Sequence, residues 1–231
     1  MTTTPTNADQ HCPITSSAPL AQGLGELAER FGALIVLDEI RTNFRAGGER
    51  STAMAPGGQW AALGGSADLY CMSKALGNGH PIAALVGTEV SRDGAAAVMA
   101  TGTYWLSPAP MAAALACLNG LASHGAAATA HMAQLGAALG EGLTTSAARH
   151  GFDVTVSGPP AMPFLTFDDE GPHARPLAER WCATVAAGGS WLHPHHNWYI
   201  SAAHTEEDIG RTLQAAECAF RELSQDKRRS G

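Results

Sequence analysis

Two apolar runs in the first third of the chain each lead into one ionisable residue. Residues 34–37 read Leu-Ile-Val-Leu and end at Asp38, and residues 70–72 read Tyr-Cys-Met and lead to Lys74. Continuous apolar runs of this length are typical of parallel strands buried on both faces. Open α/β sheets bind ligands at the carboxyl ends of such strands. We therefore expect Asp38 and Lys74 to face one crevice.

An amine and a carboxylate in one crevice are what pyridoxal phosphate (PLP) requires. The amine of Lys74 would form a Schiff base, and the carboxylate of Asp38 would keep the pyridine nitrogen protonated so that the ring accepts electrons. A desolvated amine and the glycines after Lys74, at positions 77 and 79, suit this role. The alternatives are a surface lysine beside a glycine turn and a strand-end aspartate that caps a turn.

Four segments resemble, in the right order, the motifs of class III aminotransferases, and most closely the glutamate-1-semialdehyde 2,1-aminomutase branch. They are residues 34–45, with LIVLDEIRTNFR; the lysine loop 73–81; the Gly-Thr loop 101–108; and the C-terminal signature 193–205. The resemblance covers about residues 20–222, but only the second half of a typical member. It implies an α/β fold, the C-terminal part of a fold-type I PLP-dependent transferase, with an incomplete, mainly parallel sheet and a small α+β domain.

The resemblance also implies roles for single residues. Lys74 would carry the cofactor, and Asp38 would pair with its pyridine nitrogen. Ile40 would pack on a face of the ring, although ordinary core packing is the alternative. Thr103, which follows Gly102, would reach the phosphate of a cofactor bound by the neighbouring subunit, a contact that a backbone N–H and a hydroxyl suit.

Two polar features keep two interpretations each. Arg41 stands where many family members have an uncharged residue, and it would either face the phenolic oxygen or a substrate carboxylate, or form a surface salt bridge. A histidine cluster invites a zinc interpretation, but its spacing fits no standard zinc pattern and no cysteine lies nearby. We expect structural hydrogen bonds and no metal for its members, which are His193, His195, His196 and His204.

The order of elements predicts three parts. Residues 1–18 are rich in Thr, Ser and Pro and are expected to be a disordered tail. Residues 19–120 are expected to form part of a PLP-binding large domain, in which an apolar strand at 83–88 is buried on both faces. Residues 121–231 are expected to form a small α+β domain with a strand at 197–201.

Composition excludes several classes of protein. The 231 residues carry a net charge of −7, which argues against a general nucleic-acid binder. Five widely spaced cysteines without a Cys-x-x-Cys pair suit a reduced, cytoplasmic protein. We expect no signal peptide and no membrane span, and Met1 with a plausible tail is consistent with a complete gene product.

The resemblance leaves the first half of the fold unaccounted for, and three interpretations follow. In the favoured one, the chain is the C-terminal half of a split aminotransferase or aminomutase, and a second polypeptide completes a pair of heterodimers. The others are a shortened stand-alone homodimer, such as a racemase or decarboxylase, and a non-catalytic interaction subunit. The presence of both Asp38 and Lys74 argues against the last.

These residues do not select among transamination, 1,2-amino transfer, racemisation and decarboxylation, so the amino acid, amino-aldehyde or keto-acid substrate stays open.

Overall fold

The computed structural model describes residues 17–45, 58–98, 102–168 and 175–230. These residues form two compact units, one up to Ala130 and one from His131 onwards. The predicted tail lies outside the described residues except for its last two positions, where Ser17 caps the first helix. The domain division at 120/121 stays a prediction.

The first unit is a small three-stranded sheet with short helices. Strand β1 runs parallel to β2, and β3 pairs antiparallel to β2, so the order is β1-β2-β3. Gly32 ends the first helix in a left-handed conformation. The elements are α1 (Ala18–Phe31), β1 (Val36–Asp38), α2 (Gly58–Ala62), β2 (Leu69–Met72), β3 (Ala84–Gly87), α3 (Arg92–Ala97) and the start of α4 (Pro108–Arg149).

The predicted burial of these strands is wrong for this chain. Val36 in β1 is 53% exposed and Leu85 in β3 is 54% exposed. Both outer strands also have an edge that pairs with no other described strand. The apolar character of a strand reflects the environment that the strand has in its complete fold. The described residues form only part of this sheet, so they do not provide that environment. The expected mainly parallel sheet appears here as one parallel and one antiparallel pair.

The core of the first unit is correspondingly small. Its buried apolar cluster consists of Phe44, Met72, Leu76 and Ala114. Large apolar side chains of the same unit are exposed, among them Phe31, Leu34, Val36, Leu85, Val90, Val98, Tyr104, Trp105, Leu106 and Leu115. An exposed apolar surface of this extent is typical of a surface that another polypeptide covers.

The second unit has a complete aromatic core. It comprises the end of α4, the antiparallel hairpin β4 (Val154–Ser157) and β5 (Phe164–Phe167), and the helices α5 (Arg175–Ala187) and α6 (Glu206–Ser230). The rings of Trp181 and Phe220 lie 5.1 Å apart, and the rings of Phe152 and Phe167 meet edge to face at 5.9 Å. Leu143 is fully buried beside them. All residues of this core belong to the second unit.

The strand predicted at 197–201 is wrong. The backbone N–H of Trp198 donates to the carbonyl of Pro163, and that of Ile200 donates to Ala161. Both acceptors precede β5, so the segment lies along the start of the hairpin without joining its ladder with β5.

Helix ends follow the sequence rules. Pro108 is the first residue of α4, whose segments Pro108–His124 and Ala126–Arg149 meet at a bend. At the start of α6, the Asp208 carboxylate accepts the Thr205 N–H at 2.8 Å, and the Thr205 hydroxyl accepts the Asp208 N–H at 3.2 Å, so the two residues form a capping box. Among the described helices, none alone combines the length and apolarity of a membrane span; the segments Pro108–His124 and Ala126–Arg149 reach that threshold only as a pair.

Candidate active site

The parallel pair β1–β2 brings two predicted site residues to one sheet edge. Asp38 is the last residue of β1 and lies opposite Cys71 of β2. Burial, and then the nearby charge of Asp38, raise the pKa of the Cys71 thiol. Lys74 follows three residues after Cys71 and begins a short 3₁₀ turn. The carboxylate and the amine therefore leave adjacent strands at their carboxyl ends, where α/β sheets bind ligands.

The backbone at Lys74 is held in an unusual conformation. Its φ is +46°, in the left-handed region that costs a non-glycine residue about 1–3 kcal/mol. The preceding Ser73 hydroxyl donates to the carbonyl of Ile82 at 2.8 Å, which fixes the start of the turn. The turn ends at Gly77. This position requires glycine, because a Cβ there would lie 2.3 Å from the carbonyl oxygen of His80. Strain of this kind clusters at functional sites, where the surrounding structure maintains it.

The Lys74 side chain is exposed in this chain. The desolvated environment expected for an imine lysine is therefore not formed by the described residues. An imine lysine at this position would need cover from outside the described residues.

Asp38 makes a local turn contact and keeps one oxygen available. Its Oδ1 accepts the N–H of Ile40 at 3.0 Å. This is the contact expected of a strand-end aspartate that caps a turn. Its Oδ2 has no hydrogen-bond partner in the described part of the chain, and the residue is exposed. One carboxylate can thus cap the turn and still receive a proton-bearing nitrogen. Ile40 is half-buried beside it.

Glu39 is a residue that the sequence analysis missed. It is only 3% exposed, its N–H donates to the Cys71 carbonyl at 3.0 Å, and its carboxylate accepts a hydrogen bond from the Thr42 hydroxyl. Burial is the main cause that raises the pKa of Glu39, and the charge of Asp38 adds to it. Its carbonyl accepts the N–H of Asn43 at 2.8 Å. The available signal was its place after Asp38, since an acidic residue that continues a buried strand needs a partner.

The remaining predicted site residues lie apart from these contacts. Arg41 is half-buried and forms no ion pair with any described residue, so the surface salt bridge is not found there. Gly102 and Thr103 are exposed at the start of a turn whose recorded hydrogen bonds are internal, such as Trp105 N–H to the Gly102 carbonyl at 3.2 Å. Among the described residues, no hydrogen bond therefore links Thr103 to Asp38 or Lys74.

The histidines of the second unit make local hydrogen bonds, as predicted. The Nδ1 of His204 accepts the Ser201 N–H at 2.9 Å, and its carbonyl lies 2.9 Å from Nε2 of His131. His195 pairs with Glu179 at 2.8 Å. Across residues 17–45, 58–98, 102–168 and 175–230, no three His, Cys, Asp or Glu side chains are grouped so that they could hold a metal ion.

The described residues fit one end of PLP. A lysine and a carboxylate with an available oxygen stand at one sheet edge, and a half-buried isoleucine between them in sequence can meet an aromatic face. For the phosphate, the described chain offers only the exposed Gly102–Thr103 turn. The site is therefore chemically suitable and incomplete.

The family model "Aminotransferase class-III" matches residues 13–205. The chain belongs to the class III aminotransferases. Members of this PLP-dependent family include an aminopentol aminotransferase of Sphingopyxis macrogoltabida, 38% identical over 84% of this chain and 43% of its own. A glutamate-1-semialdehyde 2,1-aminomutase of Akkermansia muciniphila is 31% identical over 87% of this chain and 48% of its own.

A solved protein shows the same architecture. The FumI protein of Sphingopyxis sp. MTA144, solved in its PLP internal aldimine form, matches with a TM-score of 0.81 at 35% identity. The match covers 91% of this chain and 48% of that protein. The fold is thus that of a fold-type I transaminase, and the chain spans about half the length of the relatives it matches.

Proposed function

We propose that this chain supplies the catalytic lysine and the pyridine-binding carboxylate of a PLP-dependent aminotransferase or aminomutase whose fold a second polypeptide completes. One observation carries the proposal. Asp38 and Lys74 stand at the same edge of a parallel strand pair, while the sheet that positions them has unpaired edges and exposed apolar residues.

Each residue has a role in this proposal. Bound PLP supplies an electron sink that weakens the bonds at the carbon bearing the amino group. Lys74 would hold the cofactor through its amine, and the same amine could hold or move a proton at that carbon. Asp38 Oδ2 would be available to the pyridine nitrogen, while Oδ1 accepts the N–H of Ile40. The Glu39–Thr42 contact fixes the turn in which Asp38 lies.

The second polypeptide is inferred from what the first unit leaves uncovered. Apolar residues in β1 and β3 are about half exposed, and the unit buries only a small cluster of its own. A surface of this kind suits an obligate interface, which typically buries about 2,000 Å² or more and resembles a core cut in two. The partner would add strands to the sheet, cover Lys74 and supply most of the phosphate site, while Thr103 would serve the neighbouring subunit of a pair of heterodimers.

Substrate and location follow as parts of the same proposal. The relatives named above act on an aminopentol and on glutamate-1-semialdehyde by name, so we propose an amine-bearing small molecule whose amino group is transferred. The described cysteines Cys71, Cys117, Cys182 and Cys218 are free thiols. They support a cytoplasmic location, since reducing compartments keep thiols free.

The experiment is purification of the tagged chain from its native source, with mass spectrometry of co-purifying polypeptides. The chain and the identified partner are then co-expressed, and the chain is also expressed alone. We expect the co-expressed pair to be yellow and to elute as a larger species, and the lone chain to be insoluble or to bind PLP poorly. As a control, the Lys74→Ala variant of this chain is co-expressed with the partner, and this pair should assemble without covalently bound cofactor. A soluble, yellow, active homodimer of this chain alone would overturn the split-enzyme proposal in favour of a shortened enzyme.

A further inference from the structure

Arg41 follows Asp38 in the turn after β1 and is half-buried. Its guanidinium forms no ion pair with any described residue. We infer that Arg41 binds the carboxylate of the substrate, so that the substrate is an amino acid or a keto acid. The inference rests on the proposed function, because it places this carboxylate at the sheet edge where Asp38 and Lys74 stand.

The turn after β1 fixes the side on which Arg41 lies. The Asn43 N–H donates to the Glu39 carbonyl at 2.8 Å, which closes one helical turn. In such a turn, residues three and four positions apart share a side, and the residue two positions on faces away from them. Glu39 and Asn43 are only 3% and 2% exposed, and the Thr42 hydroxyl donates to the Glu39 carboxylate. Arg41 therefore projects from the side opposite this buried group.

Asp38 projects from the same side as Arg41. The Glu39 N–H donates to the Cys71 carbonyl at 3.0 Å, so the pairing with β2 continues one residue past Asp38. Successive residues of a strand point to opposite faces. Asp38 therefore faces away from the buried Glu39, in agreement with its own exposure. The carboxylate of Asp38 and the guanidinium of Arg41 thus share the exposed side at the end of β1.

The carboxylates beside Arg41 do not compensate its positive charge. Asp38 forms no ion pair with it, and Asp38 Oδ1 accepts the N–H of Ile40. Glu39 lies on the other side of the turn, where it is engaged by Thr42. A guanidinium stays charged in proteins, and a partly buried cation is unfavourable without an anion. The described residues thus leave Arg41 ready for an anion from outside them.

A substrate carboxylate suits this cation better than the phenolic oxygen of PLP does. A guanidinium presents two parallel N–H groups that match the two oxygens of a carboxylate, whereas a phenolic oxygen offers a single acceptor atom. Lys74 and Asp38 serve chemistry at a carbon that bears an amino group. A carboxylate held by Arg41 would therefore orient the substrate through a group that does not react. A diamine, in contrast, would bring a second positive charge towards Arg41 and be repelled.

The test measures pyruvate binding to the assembled, PLP-loaded complex by isothermal titration calorimetry, with pyruvamide as the neutral probe of similar shape. We expect saturable binding of pyruvate, weakened about tenfold or more in Arg41→Gln, because the charged two-point contact is lost. Arg41→Lys should recover part of the affinity, since an ammonium group keeps the charge without the fork. Pyruvamide should bind weakly and alike to the wild type and to Arg41→Gln. Arg92→Gln, at an exposed arginine paired with Glu89, is the control and should bind pyruvate like the wild type.

A second measurement needs no variant, so it holds even where Arg41→Gln fails to assemble. Phenylglyoxal modifies accessible guanidinium groups, and mass spectrometry of the peptide that contains Arg41 reports the modification. We expect pyruvate to protect Arg41 in a concentration-dependent manner and pyruvamide to give no protection. Arg92 should be modified to the same extent with and without pyruvate.

Several results would overturn the inference. They are no pyruvate binding by the wild-type complex, unchanged affinity in Arg41→Gln, and labelling of Arg41 that is absent without pyruvate or equal with it. A loss of PLP affinity in Arg41→Gln with unchanged pyruvate affinity would assign Arg41 to the cofactor. The pyridoxyl label on Lys74 after borohydride reduction is measured in the same complex. If this label is present and pyruvate binding does not depend on Arg41, only this inference fails, whereas absence of the label is a failure of the proposed function.

Discussion

Asp38 and Lys74 leave two adjacent parallel strands at the same edge of the sheet, Asp38 as the last residue of β1 and Lys74 two residues beyond the end of β2. The register that pairs Asp38 with Cys71 sets their separation along the strands. The Lys74 backbone is held at positive φ by the turn that Ser73 and Gly77 stabilise, so the fold sets the direction in which the Lys74 side chain leaves the backbone.

The first prediction concerns Lys74. Borohydride reduction of the assembled complex, followed by peptide mapping, should place a pyridoxyl group on Lys74, since this amine alone stands at the Asp38 edge of the sheet among the described lysines. Lys74→Ala should abolish the label and the yellow colour while the complex still forms, and Lys227→Ala is the matched control. A label on Lys227, or none in the assembled complex, would contradict the assignment.

The second prediction concerns Asp38. Asp38→Asn removes the negative charge that holds the pyridine nitrogen protonated, but its side-chain oxygen can still accept the Ile40 N–H. Cofactor binding should therefore remain measurable, whereas turnover should fall by orders of magnitude because a neutral pyridine is a poor electron sink. Absorbance titration with PLP and steady-state rates separate the two effects. Near-normal turnover would show that Asp38 only caps the end of the strand.

The third prediction uses the buried carboxyl of Glu39. Burial raises the pKa of Glu39 above its ordinary value of 4.5, so the folded state holds the proton more tightly than the unfolded chain. The stabilisation from this group is present below pH 4.5 and is lost as the pH rises through the folded-state pKa. Glu39→Gln should remove this loss and stabilise the complex at neutral pH relative to the wild type.

Urea unfolding at pH 4.5 and pH 8 measures the effect of Glu39→Gln on the free energy of unfolding. Glu29 is exposed, so Glu29→Gln is the control. The gap in unfolding free energy between Glu39→Gln and the wild type should widen in favour of the variant as the pH rises. An equal gap at both pH values would show that the fold does not raise the pKa of Glu39.

Much of the fold could be predicted because it depends on local rules. Gly32 ends α1, and the Thr205–Asp208 capping box begins α6, where the sequence pattern indicates them. The parallel orientation of the two site strands follows from their apolar runs and ionisable ends. Burial could not be predicted in the same way. The apolar runs at 34–37 and 83–88 indicate two covered faces, but Val36 and Leu85 are 53% and 54% exposed in the described structure.

Parts of the site were also beyond sequence reasoning. Nothing in the sequence indicates that Lys74 adopts a positive φ, since this depends on how Ser73 and Gly77 close the turn. The side on which Arg41 projects likewise depends on packing, since Glu39 and Asn43 occupy the buried side of its turn. Side-chain pairing across distant segments is set by tertiary packing, which a local pattern does not contain.

The fourth prediction concerns Glu217 in the second unit. Its carboxylate accepts hydrogen bonds from the Ser146 hydroxyl and from His150 Nε2, the latter at 2.6 Å, and these contacts lower the pKa of Glu217 below its ordinary 4.5. The resulting stabilisation is complete above pH 4.5 and is lost as the pH falls through the lower folded-state pKa. Glu217→Gln should therefore cost about 0.5–1 kcal/mol at pH 7, a value reduced by partial solvent exposure, and less at pH 3.

Chemical unfolding of the full complex at pH 7 and pH 3 checks this prediction. Glu206→Gln, on the same helix, is the control for loss of one negative charge. A destabilisation of Glu217→Gln that is the same at both pH values would indicate a packing defect in place of a charge-dependent contact.

The last prediction addresses the unpaired edge of β1. Val36 is 53% exposed in a strand whose outer edge pairs with no described strand, and exposed apolar edges promote association between chains. A lysine at an edge strand blocks such pairing. Val36→Lys should therefore make the lone chain more soluble and, in co-expression, should abolish assembly with the partner. Val90→Lys, at an exposed valine outside the strands, is the matched control and should leave assembly intact. Light scattering of the lone chain and size-exclusion chromatography of the co-expressed pair measure the two effects. Full assembly of the Val36→Lys chain with its partner would show that the sheet is not extended at β1, whatever covers its faces.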